Sequence, residues 1–242
     1  MTKLYYLEDF SILERPATVV EVVDRADKKA IIVDETIFYP QGGGQPYDTG
    51  IITSPNAEFK VSEVRFEDGI VYHIGEYKNS ENAFSKGQQV ELHVDPERRL
   101  LNSKLHSAGH LVDMALVNLG IGWVPGKGFH FPEGPYVEYA GSLEGLDLEK
   151  LKTDIENECN RLIQEGQETK VVFIEKDQMH TICKFVPDYI PEGKPARVVL
   201  FNDYGVPCGG THVHNTKEIG TMVIRKIKSK KGVIQVKYDL GN

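Results

Sequence analysis

Two pairs of residues in this chain have the types and spacing of a metal shell: His106 and His110 in the run His106-Ser-Ala-Gly-His110, and Cys208 and His212 in Cys208-Gly-Gly-Thr-His212. Residues four apart on a helix project from one face, one turn apart, so two imidazoles can hold one ion. A Cys and a His at the ends of a Gly-Gly turn can close the shell, because Gly209 and Gly210 permit backbone angles closed to other residues. Three nitrogens and one sulfur suit Zn²⁺ better than a hard ion that wants oxygen. Each pair alone has a plainer reading. Two histidines at this spacing arise by chance, and a single Cys is more often a small core residue. Jointly they point to a zinc site of His106, His110, Cys208 and His212. Cys159 and Cys183 have no paired ligand spacing and read as core.

The first pair needs a helix. Asp95 fits an N-cap, Pro96 fits the first helical position, and the pattern runs to Gly120. Its apolar stripe is Leu101, Leu105, Ala108, Val112, Ala115, Leu116 and Leu119. At about 100° per residue, both histidines fall roughly 130–170° from the centre of that stripe, off the obvious core face. A second helix is expected over 147–165. Upstream of the first helix, short β-type runs recur at 19–23, 30–33, 51–53, 59–64, 70–74 and 88–94. Gly, Asp, Asn or Ser signals separate them, with no helix between, which suggests a small barrel. Downstream, strand-like pieces at 123–131, 135–139, 170–174, 196–201, 219–228 and 232–238 alternate with the helices. The expected fold class is α+β: an N-terminal small β-barrel over residues 1–94, then a two-layer α/β domain with a mixed or antiparallel sheet over 95–242.

Composition frames the chemistry. A chain of 242 residues, 40% hydrophobic and 26% charged, is globular. Three cysteines, no secretory signal and no apolar run of transmembrane length lead us to expect a soluble, cytoplasmic protein with no membrane partner. A net charge of −8 argues against a general nucleic-acid coat. Its distribution matters more: residues 217–242 carry seven Lys/Arg against two Asp/Glu, with Arg225, Lys226, Lys228, Lys230 and Lys231 close together. Such a basic edge could meet phosphates, although a solvated hairpin tip explains the charge as well.

Residues 38–50 read Phe-Tyr-Pro-Gln-Gly-Gly-Gly-Gln-Pro-Tyr-Asp-Thr-Gly. Three consecutive glycines let backbone approach a partner, with N–H groups toward an anion or an oxygen. No Lys-Ser/Thr follows, so this is not a Walker loop. It could be a wide turn joining two strands, yet a run into glycines and then Gln45 suits the placing of one amide beside a ligand.

These three motifs, in this order, resemble the editing region of alanyl-tRNA synthetases and the freestanding alanyl-tRNA editing proteins, the AlaX family. Asp95-Pro-Glu-Arg-Arg99 ahead of the histidine helix and Glu218-Ile-Gly220 after the second pair fit the same pattern. The resemblance covers nearly the whole chain, and the length fits the medium, freestanding type without an aminoacylation domain. It implies a trans-editing hydrolase of translation fidelity, which deacylates tRNA(Ala) mischarged with serine, and also glycine, using zinc in residues 95–242. A pocket built for alanine cannot strongly exclude a smaller residue or a modest added hydroxyl, so a second hydrolytic site answers a physical need.

On that reading Gln45 is the catalytic residue, bonding the aminoacyl group or the water, while Gly43, Gly44, Gly209, Gly210 and Thr211 bind substrate. Their N–H groups would face the developing oxyanion, and the Thr211 hydroxyl could sense serine. Four protein ligands make a closed site, whereas water activation needs an open position. Either one ligand is loose, with His212 the first candidate, or the ion orients substrate while another group places the water. Arg98, Arg99 and Lys104 are candidates for phosphate contacts, and His214 for a competing ligand. His130 is near the site in sequence order only; His73, His93 and His180 read as ordinary. Two further readings stay open: a non-catalytic, zinc-stabilised tRNA-binding module, and a metallohydrolase acting on another ester or peptide. The last is weaker, because no glutamate stands between the histidines as general base. Nothing in the residues requires an oligomer.

Overall fold

In the computed structural model, residues 1–241 are described apart from 26, 80, 81, 191 and 194. Six strands close a barrel: β2 (Glu14–Arg25), β3 (Lys28–Val33), β5 (Gly50–Ser54), β6 (Ala57–Glu67), β7 (Ile70–Tyr77) and β8 (Gln89–Val94). Their order is β2-β3-β7-β6-β5-β8, with antiparallel pairing throughout. A short parallel pair, β1 (Lys3–Leu4) with β4 (Glu35–Thr36), lies outside the ring. The barrel forms because its runs alternate: Ala17 and Val19, Ile31 and Val33, Phe59 and Val61, Val90 and Leu92 each send one face inward at period two. Closure leaves the ring without open edges.

The glycine segment is pinned on its barrel side. Asp48 is fully buried; the Tyr39 backbone N–H donates to its Oδ2 at 2.6 Å, and Arg99 Nε donates to both carboxylate oxygens at 3.1 Å. Arg99 also donates to the carbonyls of Phe10 at 2.7 Å and Ile37 at 2.6 Å. At 4% exposure Arg99 is therefore committed inside the fold, to the barrel's own acceptors and not to the surface position expected of a phosphate contact. Removing either charge would strand its partner, at a cost of about 3–5 kcal/mol.

The chain divides into two compact units, Met1–Gly42 with Pro46–Leu100, and Gly43–Gln45 with Leu101–Asn242. Helix α1 (Pro96–Asn118) is capped by Asp95, whose Oδ1 accepts from the N–H groups of Glu97 and Arg98 at 3.1 Å each. From Leu105 to Leu116 every residue of α1 is buried, so its polar face is as enclosed as its apolar stripe; only the stripe's ends, Leu101 and Leu119, reach solvent. Helix α2 (Leu148–Glu165) starts at the Asp147 side-chain cap and stops at Gly166, whose φ of 80° lies in the left-handed region. Its buried face, Leu151, Ile155, Cys159, Leu162 and Ile163, packs with Ala108 and Leu111 of α1 in one core.

That core is floored by an antiparallel sheet ordered β14 (Met222–Lys230), β15 (Val233–Leu240), β10 (Tyr136–Ala140), β9 (Val124–Phe129). A second antiparallel sheet joins β11 (Thr169–Ile174), β12 (Ala196–Phe201) and β13 (Tyr204–Pro207). The fold is thus α+β with a closed antiparallel barrel. Strand β13 is missing from the sequence reading because four residues including Gly205 and Pro207 carry no period-two pattern. The run expected from 219 begins at Met222, after a 3-10 turn over Thr216–Ile219. Among the described residues no helix is long and apolar enough to cross a membrane.

Candidate metal centre

His106 and His110 lie on the enclosed polar face of α1, while β13 ends at Pro207 and delivers Cys208 opposite them. Arg197, on β12, donates to the Cys208 carbonyl and holds that corner. Donor atoms of His106, His110, Cys208 and His212 lie within 4.8 Å of one another. Cys208 Sγ is 3.4 Å from both His106 Nε2 and His212 Nε2. A tetrahedral ion bound by imidazole and thiolate sets its ligand atoms roughly 3.5 Å apart. The four residues fit such an ion.

Each imidazole is oriented by a bond at its other nitrogen. His106 Nδ1 donates to Gln45 Oε1 at 2.7 Å, His110 Nδ1 pairs with Asp113 Oδ2 at 3.3 Å, and His212 Nδ1 meets Ser107 Oγ at 3.2 Å. Asp113 is itself held by the Tyr139 hydroxyl at 2.6 Å. Three Nε2 atoms are left to converge. His110 Nε2 is buried with no hydrogen-bond partner, an orphan that a bound ion would satisfy.

The electrostatics favour the ligating forms at three positions. Burial, helped by the neighbouring His130, His212 and His110, holds His106 well below the ordinary histidine range. Burial likewise lowers His212, with His110 and Arg197 adding to it. Burial pushes the Cys208 thiol up, but His110, the Gly210 N–H and Arg197 outweigh it and leave the thiol lowered. At His110 burial is overcome by Asp113 and Cys208, which hold it up to about 10.

Gln45 is fully buried. Its Oε1 accepts from His106 and from the Thr211 backbone N–H at 3.0 Å, and its Nε2 donates to Thr211 Oγ1 at 2.9 Å. A backbone N–H can only donate, so the amide orientation is fixed, and with it the Nδ1–H tautomer of His106. Thr211 Oγ1 also shares a 2.8 Å bond with Ser103. Gly210 is close-packed: a Cβ there would stand 2.2 Å from His106 Cε1. Neither it nor Gly209 has positive φ, so proximity to His106, and not the backbone freedom expected from sequence, explains Gly210.

A pocket of about 450 Å³ opens over the cluster, lined by His106, His110, Asp113, Cys208 and Gly209, with Gly43 and Gly44 on its wall. Of the substrate-binding residues expected from sequence, Gly43, Gly44 and Gly209 line it, while Gly210 and Thr211 do not; nor does Gln45, the residue expected to be catalytic. Gly43 and Gly44 do adopt left-handed φ of 54° and 78°, and a Cβ on Gly44 would lie 2.1 Å from the Gly128 carbonyl.

The sequence reading missed His130. Its ring stacks on His106 at 4.4 Å and 19°, its backbone N–H donates to the Gly44 carbonyl at 2.8 Å, and it lines the pocket. Tyr238 donates its only hydroxyl proton to the Leu105 carbonyl at 2.9 Å, so the 2.6 Å bond from His130 Nδ1 to that hydroxyl is donated by the histidine. Nε2 is then a bare acceptor, and burial keeps the ring neutral, lowered to about 3. Two glycines make room for it: a Cβ on Gly109 would stand 2.4 Å from His130 Cε1, and one on Gly128 2.2 Å from Nε2. A glycine at the third position between two helical histidines was the only signal available.

The sequence that forms this barrel and α+β unit matches models of tRNA synthetase families. Residues 4–98 match the family model of class II (A) tRNA synthetases, and residues 196–235 match that of the threonyl and alanyl tRNA synthetase second additional domain. The chain is 34% identical over 233 residues to alanyl-tRNA editing protein AlaX-M of Pyrococcus horikoshii, covering 94% of this chain and 91% of that protein. It is 30% identical over 237 residues to AlaX-M of Methanosarcina barkeri, covering 95% of each. AlaX-L of Pyrococcus horikoshii is 30% identical over 246 residues, and the chain spans 58% of that longer protein. The chain belongs to the alanyl-tRNA editing protein family, AlaX.

Proposed function

We propose that this protein is a trans-editing deacylase of tRNA(Ala) mischarged with serine, and to a lesser degree glycine, and that His106, His110, Cys208 and His212 hold Zn²⁺. The observation that carries the reading is the convergence of three Nε2 atoms and one Sγ under an open pocket, in a chain of the AlaX family. Zinc there supplies a Lewis acid beside the ester.

The chain's own residues do the rest. Gly43, Gly44 and Gly209 bring backbone to the pocket wall, where N–H groups can receive the charge that develops on the carbonyl oxygen. His130 Nε2 accepts a hydrogen bond from the attacking water, which fixes the water's position. Water oxygen bonds to the carbonyl carbon, the ester C–O bond breaks, and one water proton ends on the ribose oxygen. Gln45 acts through His106 and Thr211; bonding the aminoacyl group directly, the role expected from sequence, would require its amide to exchange one of these partners. Thr211 is fully buried and supports Gln45, so a serine-sensing role for it likewise requires a rearrangement.

The test is release of labelled serine from Ser-tRNA(Ala) set beside release of alanine from Ala-tRNA(Ala). Seryl release with the alanyl ester spared supports the reading. Four donors around one point also suit a purely structural ion. Tight tRNA binding with no release from either ester would therefore replace the enzyme with a zinc-stabilised tRNA-binding module.

A further inference from the structure

The face of the four-stranded sheet turned away from the core is not used by the metal centre. Ile224, Ile227, Val236 and Tyr238 fill the core face. On the other, strand register lines Lys226, Lys237, Tyr136 and Phe129 in one row across β14, β15, β10 and β9. Lys228 and Lys230 follow Lys226 along β14 at the two-residue period, roughly 6.7 Å per step. The rings of Phe129 and Tyr136 stack at 5.2 Å and 17°, and Phe131 stacks on Phe129 at 4.5 Å and 18°. All three are half-buried, so each keeps surface in solvent. Lys237 Nζ stands 5.9 Å over the Tyr136 ring.

This arrangement works against folding. Lys226 and Lys237 are directly opposed across the strands, and like charges so placed are destabilising. Their crowding is strong enough that Lys237 above all, with Lys230 and Lys226, lowers Lys228 from its ordinary value. Of the acids on these strands, Asp239 pairs with Arg225 at 2.9 Å, while Glu138 accepts from the neutral amide of Gln235 at 2.9 Å and forms no ion pair with the lysines. Among the described residues no ion pair includes Lys226, Lys228, Lys230 or Lys237. In a chain of net charge −8, an uncompensated cationic row running into a stack of flat rings calls for a ligand. Phosphates answer the lysines and bases answer the rings; an anionic membrane would engage the lysines and leave the stack without a role. An open sheet face with aromatic rings, backed by helices, is also a known solution for holding unpaired nucleotides.

We propose that this sheet face binds single-stranded RNA, with phosphates on Lys226, Lys228, Lys230 and Lys237 and bases stacked on Tyr136, Phe129 and Phe131. The inference rests on the tRNA reading above and names the part bound, the unpaired 3′ end leading to the ester. Strand β9 connects the two places: Phe129 is on the outer face, while Gly128 and His130 on either side of it line the pocket.

The test compares full-length wild type with the triple variant Lys226→Gln, Lys228→Gln, Lys230→Gln and with Phe129→Leu. Binding of uncharged tRNA(Ala) is titrated at several salt concentrations, and hydrolysis is followed on Ser-tRNA(Ala) and on the 3′-seryl ester of adenosine. The triple variant should bind tRNA(Ala) about tenfold more weakly and lose about 2 from the log–log salt slope, as three phosphate contacts at roughly 0.7 each require. Its loss on Ser-tRNA(Ala) should fall in KM, with the adenosine ester hydrolysed as by wild type. Phe129→Leu should weaken binding with the slope unchanged. Wild-type hydrolysis matched by both variants, at equal affinity and slope, overturns this inference and leaves the function standing. A wild type that neither binds tRNA(Ala) nor releases serine overturns both.

Discussion

Gln45 sets the proton and the orientation of a neighbouring imidazole. Its oxygen fixes the proton of His106 on Nδ1 and so turns Nε2 toward Cys208. Losing such an outer bond commonly weakens metal affinity 10- to 100-fold. Gln45→Ala should therefore lower zinc affinity by about that range in a chelator competition. Unchanged affinity with lost turnover would give Gln45 the direct substrate role instead. The four residues of the cluster were legible in the sequence because each pair is fixed locally, by one helical turn or one tight loop. His130 was not legible: its place depends on Gly44, Gly109 and Tyr238, which lie far apart along the chain. The internal bonds of Arg99 were hidden for the same reason, since Asp48, Phe10 and Ile37 reach it only once the chain has folded.

At the scale of elements, α1 carries the conflict that the site imposes. An exposed helical glycine replaced by alanine ordinarily gains about 0.4–1 kcal/mol. At Gly109 the added Cβ would stand 2.4 Å from His130, so the helix gain is opposed by expulsion of that ring. Gly109→Ala should lower the unfolding midpoint and slow seryl release together; a raised midpoint with full turnover would show that His130 has no fixed seat. The six barrel strands and both helices could be read ahead because alternation, caps and Gly stops are short-range signals, as at Asp95, Asp147 and Gly166. Strand β13 could not, since its four residues are held by pairing with β12 and not by a pattern of their own.

For the whole molecule, stability should depend on pH through a group remote from the metal. His73 is fully buried in the barrel; its Nδ1 donates to the Ile31 carbonyl at 2.9 Å and its Nε2 accepts from Thr36 at 2.8 Å. Burial lowers it from 6.5 to about 4, although the Ile31 bond opposes the shift. A histidine whose folded value is depressed takes up its proton first in the unfolded chain. Stability is therefore fully present above about 6.5 and falls as pH drops toward 4, by about 3 kcal/mol for this group. Urea unfolding followed by circular dichroism should show that loss in wild type and a flatter pH dependence in His73→Gln; equal slopes would remove His73 from the account.

On the proposed function, one zinc ion held by His106, His110, Cys208 and His212 serves hydrolysis of the mischarged ester. Metal content and serine release from Ser-tRNA(Ala), measured on the same sample before chelation, after it and after zinc is restored, test it most directly. The expected result is about one zinc per chain, loss of release with the metal, and recovery of both. Full serine release from a metal-free, folded protein would contradict it.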